Sequence, residues 1–190
     1  MTGKKIVIVI GSPRENGNSA ILAEQVASGA RISGAEVEVF NLHKLAISPC
    51  NACDACRQVG ANGCIIKDDM QILYPKLTAA DAIVIASPIY WFSVSAQTKL
   101  LIDRFYGMGE HPNNALKGKK MGIILTYADA DPFISGAVNA LRMFQDIFNY
   151  VGAEIVGMVY GSAWKTGEIE SNKEVMDKAY ELGKTLAASK

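Results

Sequence analysis

The chain has no excess of either charge. Its 19 Lys and Arg residues balance its 19 Asp and Glu residues. This excludes the bulk basic field on which non-specific nucleic-acid binding rests. Histidine is scarce, with only His43 and His111, which are far apart and read as surface residues rather than a catalytic pair. Long apolar runs are missing. Ile6 to Ile10 stops at Gly11-Ser12-Pro13-Arg14, and Ala82 to Ala96 is interrupted by Ser87, Pro88, Ser93 and Ser95. The expectation is a protein with no signal peptide and no membrane span, placed in the cytoplasm. Cysteine is absent everywhere except at Cys50, Cys53, Cys56 and Cys64. A secreted disulfide scaffold spreads its cysteines to staple distant segments, so this clustering points to one local site among reduced thiols.

What is present is an alternation of strands and helices. Ile6–Ile10, Ala82–Ala86 and Met121–Thr126 are short continuous apolar runs, as expected of parallel strands buried on both faces. Glu36–Phe40 alternates and suits an edge, and Glu154–Tyr160 reads as a fifth strand. Between them, Ala137, Leu141, Phe144, Phe148 and Val151 form one helical stripe, and Val175, Ala179, Leu182 and Leu186 another. Asn18–Ile32 and Val94–Phe105 are amphipathic too, and a helix is expected over about 69–78 with Asp68 as its N-cap. The fold class is α/β: one domain over residues 1–190, with five parallel strands and helices on both faces. Ligands of such sheets sit beyond the strands' carboxyl ends, which directs attention to the loops after Ile10, Ala86 and Thr126. Leu42–Asp68 has no regular pattern and carries every cysteine.

The loop from Gly11 to Ser19 opens a helix, whose first N–H groups and dipole favour an anion. Ser12, Asn18 and Ser19 add donors, and Arg14 adds a forked countercharge for phosphate oxygens. The loop is neither a G-x-G-x-x-G fingerprint nor a Walker A. The alternative is a capped turn, with Asn18 or Ser19 as N-cap. After the third strand come Ser87-Pro88-Ile89-Tyr90-Trp91-Phe92-Ser93. The aromatics suit stacking on a planar ligand, or a cap on the core, or a subunit contact.

Three motifs carry a family resemblance: Gly-Ser-Pro-Arg-x-x-Gly-Asn-Ser at 11–19, Ser-Pro-Ile-Tyr-Trp-Phe-Ser at 87–93, and Gln97-x-Lys99-x-x-x-Asp103-Arg104. In this order the chain resembles the flavodoxin-like NAD(P)H-dependent FMN reductases. The resemblance implies a flavodoxin-like three-layer sandwich with strand order 2-1-3-4-5. It implies FMN as cofactor and NAD(P)H as donor, and a quinone, flavin or similar small acceptor. It assigns Ser12, Arg14, Asn16, Asn18 and Ser19 to the FMN phosphate side, Pro88, Ile89, Tyr90, Trp91 and Phe92 to the ring, and the stretch from Tyr127 to Asp129 to the ring's other rim. No protein nucleophile is called for, because the flavin carries the chemistry. Asp103-Arg104 reads as a helix-end ion pair. The family is commonly a homodimer or homotetramer.

The cysteine spacing, C-x2-C-x2-C-x7-C, lets three thiolates wrap one side of a cluster. It resembles the iron–sulfur flavoproteins, in which Cys50, Cys53, Cys56 and Cys64 would hold a 4Fe–4S cluster and a ferredoxin-like protein would be the electron donor. Free thiols, a zinc site and a Cys53–Cys56 disulfide are the alternatives. A nucleotide-binding module without redox chemistry is disfavoured, since polar groups for a base or ribose are missing where Trp91 and Phe92 stand.

Overall fold

The structure is a computed structural model and describes residues 3–61, 63–108 and 114–188. His111 lies outside the described residues. Five strands run parallel: β1 (Lys5–Ile10), β2 (Glu36–Asn41), β3 (Ala82–Tyr90), β5 (Lys120–Tyr127) and β6 (Glu154–Ser162). Their order is β2-β1-β3-β5-β6, the expected 2-1-3-4-5 arrangement. A sixth strand was not expected. The two-residue β4 (Ser93–Val94) turns back antiparallel on the end of β3, pairing Ile89 with Val94 and Tyr90 with Ser93.

The helices are α1 (Asn18–Ile32), α2 (Met70–Ala79), α3 (Ala96–Arg104), α4 (Ala137–Val151) and α5 (Lys173–Ala187). Alternate residues of each central strand serve opposite cores, which is why those runs are apolar without a break. Val7, Val9, Ile83, Ile85, Ile123 and Leu125 pack with α2, α3 and α4. Ile6, Ile8, Ile10, Val84 and Ile124 pack with α1 and α5. On α4, Phe144 and Phe148 are buried and their rings stack with centroids 5.9 Å apart. Among the described residues no helix is long and apolar enough to cross a membrane.

Three expectations need correction here. β3 does not stop at Ala86 but runs through Pro88 to Tyr90, still paired to β5. On its other side β1 ends opposite Ala86, so the N–H that proline lacks has no partner strand to miss. Helix α1 has Gly17, not Asn18 or Ser19, at its N-cap, and α2 has Asp69, not Asp68. Asp68 still accepts the Met70 N–H at 3.1 Å. Asp103 and Arg104 do not pair with each other. Asp103 pairs with Lys99 on the surface, one helical turn away, whereas Arg104 turns inward to Asp68.

Candidate functional site

The carboxyl ends of β1, β3, β5 and β6 enclose a cleft of about 330 Å³. The loop after β1 forms one wall and is strapped to its neighbours. The Gly11 N–H donates to Ala86 O at 2.8 Å, and Gly11 O accepts from Ser95 Oγ at 2.8 Å. Ser95 Oγ also meets Thr98 Oγ1 at 2.9 Å, and the Ser95 N–H donates to Ser87 Oγ at 3.0 Å. This buried hydroxyl network ties the loop after β1 to the end of β3 and to the first turn of α3.

Within the loop, Ser12 Oγ accepts the Arg14 N–H at 3.1 Å, and the Gly17 N–H donates to Arg14 O at 3.1 Å. The turn needs a glycine at 17, since a Cβ there would lie 2.8 Å from Ser12 Oγ. Arg14 is exposed at the cleft mouth, with Nη1 3.5 Å from Thr166 Oγ1. Asn18 is turned to the loop after β6: its Nδ2 donates to Lys165 O at 2.9 Å and its Oδ1 accepts the Ile169 N–H at 3.3 Å. Ser19 is buried and faces the cleft, and its Oγ has no hydrogen-bond partner among the described residues. A buried hydroxyl left unpaired is costly, and in a native protein it marks a place where something else binds. Asn16 lies elsewhere, in a neighbouring hollow with Glu15 and Ala20.

The second wall is the end of β3, where Pro88, Ile89 and Tyr90 line the cleft. Beyond them the chain reverses through Trp91 and Phe92, with φ of 49° and 64°. A two-residue hairpin turn of type I′ has positive φ at both central positions, which normally selects Asn-Gly. Two bulky aromatics here store strain, of the kind that clusters at ligand sites. Trp91 is 93% exposed and Phe92 56%. Asn139 Nδ2, on α4, donates to Phe92 O at 3.2 Å and holds the turn.

Thr126, Tyr127 and Ala128 close the far side together with Ala163 and Trp164. Tyr127 is buried, and burial pushes its phenol above the ordinary value, with Tyr160 and Asp131 adding to the effect. Asp129 is exposed outside the lining, and its carbonyl accepts Ser162 Oγ at 2.6 Å. The reading of the sequence missed Ser95, Thr98, Asn139 and Trp164. Trp164 was open to discovery, because the rule that ligands sit at the strands' carboxyl ends applies to β6 as well. A phosphate fits the orphaned Ser19 hydroxyl, the α1 N-terminus and Arg14. A flat ring fits the aromatic wall.

The cysteine loop follows β2, the strand at one edge of the sheet. All four thiols are free. The chain coils between them, with Ala52 and Asp54 both at positive φ. Cys56 and Cys64 flank Gly107: a Cβ built there would lie 3.9 Å and 3.6 Å from theirs. Burial pushes the Cys56 thiol up, and the charges of Cys64, Cys50 and Cys53 push it further. Four thiols on one short loop are a donor set whose chemistry suits a soft metal cluster. Among the described residues, no three His, Cys, Asp or Glu side chains stand together as a closed metal site.

A parallel sheet of this order, with an anion loop after its first strand and an aromatic rim after its third, defines a flavodoxin-like protein. The profile described as NADPH-dependent FMN reductase matches residues 4–165. An iron–sulfur flavoprotein of Archaeoglobus fulgidus is 32% identical over 185 residues, covering 96% of this chain and 79% of that protein. One of Methanosarcina thermophila is 36% identical over 153 residues, covering 80% of this chain and 77% of its own. The fold matches an NAD(P)H:quinone oxidoreductase of Methanothermobacter marburgensis with a TM-score of 0.77 at 18% identity, over 99% of each chain. The chain belongs to the NADPH-dependent FMN reductase family. It is an FMN-dependent oxidoreductase.

Proposed function

We propose that this chain, acting as one cytoplasmic FMN-binding domain, takes single electrons from a ferredoxin-like protein into a 4Fe–4S cluster held by Cys50, Cys53, Cys56 and Cys64, which hands them one at a time to FMN for delivery in pairs to a small acceptor such as a quinone. Bound in the cleft, FMN supplies hydride acceptance and electron release singly or in pairs. Ser12, Arg14, Asn18 and Ser19 hold its phosphate, with Asn18 acting through the loop after β6. Pro88, Ile89, Tyr90 and Tyr127 pack the ring, and Trp91 and Phe92 shield its edge from water. The observation that carries the cluster is that Cys56 and Cys64, in a loop that also holds Cys50 and Cys53, flank Gly107. The names of the two archaeal relatives support the same reading.

The reading in which NAD(P)H reduces the flavin directly and a small planar acceptor, such as a quinone, reoxidises it is favoured by one feature. Trp91 is almost wholly exposed at the cleft mouth and offers a stacking surface. An apolar groove of about 380 Å³, with Ile102, Phe105 and Tyr106 on one side and Ile147 and Tyr150 of α4 on the other, supports assembly as a homodimer or homotetramer.

Anaerobic purification, FMN saturation, a visible spectrum and assays of iron and acid-labile sulfide test the reading. Flavin with about four irons and four sulfides per chain supports the cluster. Flavin without iron, bleached by NADH or NADPH and reoxidised by quinone, supports the direct reductase. No flavin binding would refute both. Cys53→Ser is expected to lose the iron and keep the fold and the FMN.

A further inference from the structure

The largest side chain that is fully buried in the described structure is an arginine. Arg104, the last residue of α3, is 1% exposed. Its guanidinium grips Asp68 in a bidentate pair, Nη1 to Oδ2 at 2.6 Å and Nη2 to Oδ1 at 3.2 Å. Nη1 also donates to Ser48 O at 2.8 Å, and Nε donates to Tyr74 Oη at 3.3 Å. The Tyr74 hydroxyl donates back to Arg104 O at 3.2 Å.

Removing one partner of a buried ion pair is costly, and replacing both by apolar residues is often harmless or stabilising. Stability alone is therefore a weak reason for a charge in this place. The position of the pair supplies a better one. Ser48 precedes Cys50 by two residues, and Asp68 follows Cys64 by four. Arg104 thus joins the two stems of the cysteine loop. Further bonds zip the stems on either side: the Ser48 N–H to Asp68 Oδ2 at 2.8 Å, and the Ala46 N–H to Asp69 Oδ2 at 2.7 Å. Gln71 Nε2 donates to Cys64 O at 3.0 Å and to Ile66 O at 2.7 Å, so the backbone at Cys64 is held as well.

The other end of α3 belongs to the cleft. Ser95, its N-cap, donates to Gly11 and accepts the Thr98 N–H. Nine helical residues span roughly 14 Å, so one short rigid element has its first turn in the flavin wall and its last residue in the cysteine loop.

We propose that Arg104 is a positioning residue: with Asp68 and Tyr74 it clasps the cysteine loop shut at its base and fixes Cys50 and Cys64 at a set distance from the flavin cleft. It touches neither cofactor. Its effect reaches the thiols through Ser48, Asp68 and the backbone at Cys64. This rests on the reading of the four cysteines as cluster ligands, and the experiment separates the two ideas.

The variants are Arg104→Lys, which keeps the charge and loses the fork, Asp68→Asn, and Tyr74→Phe, which removes one hydroxyl from the clasp and leaves the ion pair in place. Each is compared with the wild type in FMN affinity, in iron and sulfide content after anaerobic reconstitution, and in the alkylation rates of Cys50 and Cys64 in metal-free protein, read by peptide mass spectrometry. Only chains that retain wild-type FMN affinity and far-UV circular dichroism are scored. The expected result is iron content below half of wild type in Arg104→Lys and Asp68→Asn. Alkylation at Cys50 and Cys64 should be roughly tenfold faster, the factor that corresponds to about 1.4 kcal/mol. Tyr74→Phe should fall between these and wild type. Folded variants with full iron and wild-type alkylation rates would overturn the clasp. If the wild type takes up no iron, the cluster reading fails and the alkylation rates alone decide. If Arg104→Lys and Asp68→Asn do not fold, Tyr74→Phe decides, read at Cys50 because the Tyr74 hydroxyl itself interacts with Cys64: unchanged alkylation of Cys50 in that variant overturns the proposal.

Discussion

Phe92 occupies the space that a side chain at position 136 would need. A Cβ built on Gly136 would lie 2.5 Å from the Cβ of Phe92, and Gly136 itself sits at φ of 76°. The N-terminus of α4 and the aromatic turn after β3 are thus fitted to each other, with Asn139 bonding the Phe92 carbonyl from the first turn of the helix. Gly136→Ala is expected to destabilise the fold by about 1–3 kcal/mol, through positive-φ strain and the displaced Phe92. Weakened FMN binding should accompany it. Urea unfolding and a flavin titration check both, and a variant that melts like wild type with undisturbed affinity would contradict the fit.

Ser19 gives a prediction of opposite signs in the free and bound protein. Among the described residues its buried hydroxyl has no partner. Ser19→Ala removes an unsatisfied group, so the flavin-free protein should be equally stable or up to about 1 kcal/mol more stable. FMN affinity should fall by about 1 kcal/mol as the phosphate loses a donor. Thermal melts with and without FMN read the two effects separately, and a destabilised flavin-free variant would argue against the role.

Arg14 stands exposed at the mouth of the phosphate wall. Arg14→Ala should weaken FMN binding roughly tenfold to a hundredfold, the range for a lost hydrogen bond to a charged group. Riboflavin has no phosphate and should bind the variant and the wild type alike. Equal losses for both ligands would place Arg14 at the ring instead.

Asp68 predicts a pH dependence. Burial raises its carboxyl, but bonds from Arg104, Ser48 and Met70 outweigh burial and hold it below the ordinary value. Its folded pKa is depressed, so its contribution is complete above the unfolded value of about 3.9 and is lost as the pH falls through the folded value. The stability gap between wild type and Asp68→Asn, about 3–5 kcal/mol for breaking a buried pair, should hold steady from pH 7 to 5 and shrink progressively below about pH 4. Urea unfolding across pH 7 to 2 checks this, and a gap undiminished at pH 2 would count against it.

The strands and most helix ends were legible because their signals are local. Ile6–Ile10 is an unbroken β-branched run, and the α4 and α5 stripes repeat at helical spacing. The loop from Gly11 to Ser19 announced itself through its residue types and its place after a strand. Two features were hidden because they depend on distant partners. Pro88 looked like the end of a strand, and only the early end of β1 lets β3 continue through it. Arg104 looked like half of a surface pair with its sequence neighbour, since nothing local points to Asp68, which lies 36 residues earlier. Asn18 was assigned to the phosphate side, but the direction of its side chain is set by Lys165 and Ile169 from the far end of the chain.

The aromatic turn also sets the direction in which the molecule would drift under artificial selection. Asn-Gly at positions 91 and 92 would adopt the same two positive φ angles without strain, so a screen rewarding heat resistance alone should enrich it. The survivors would be hardier chains stripped of the hydrophobic rim around the cleft. A library scored on residual activity after heating would keep Trp91 and Phe92 and gather its gains elsewhere.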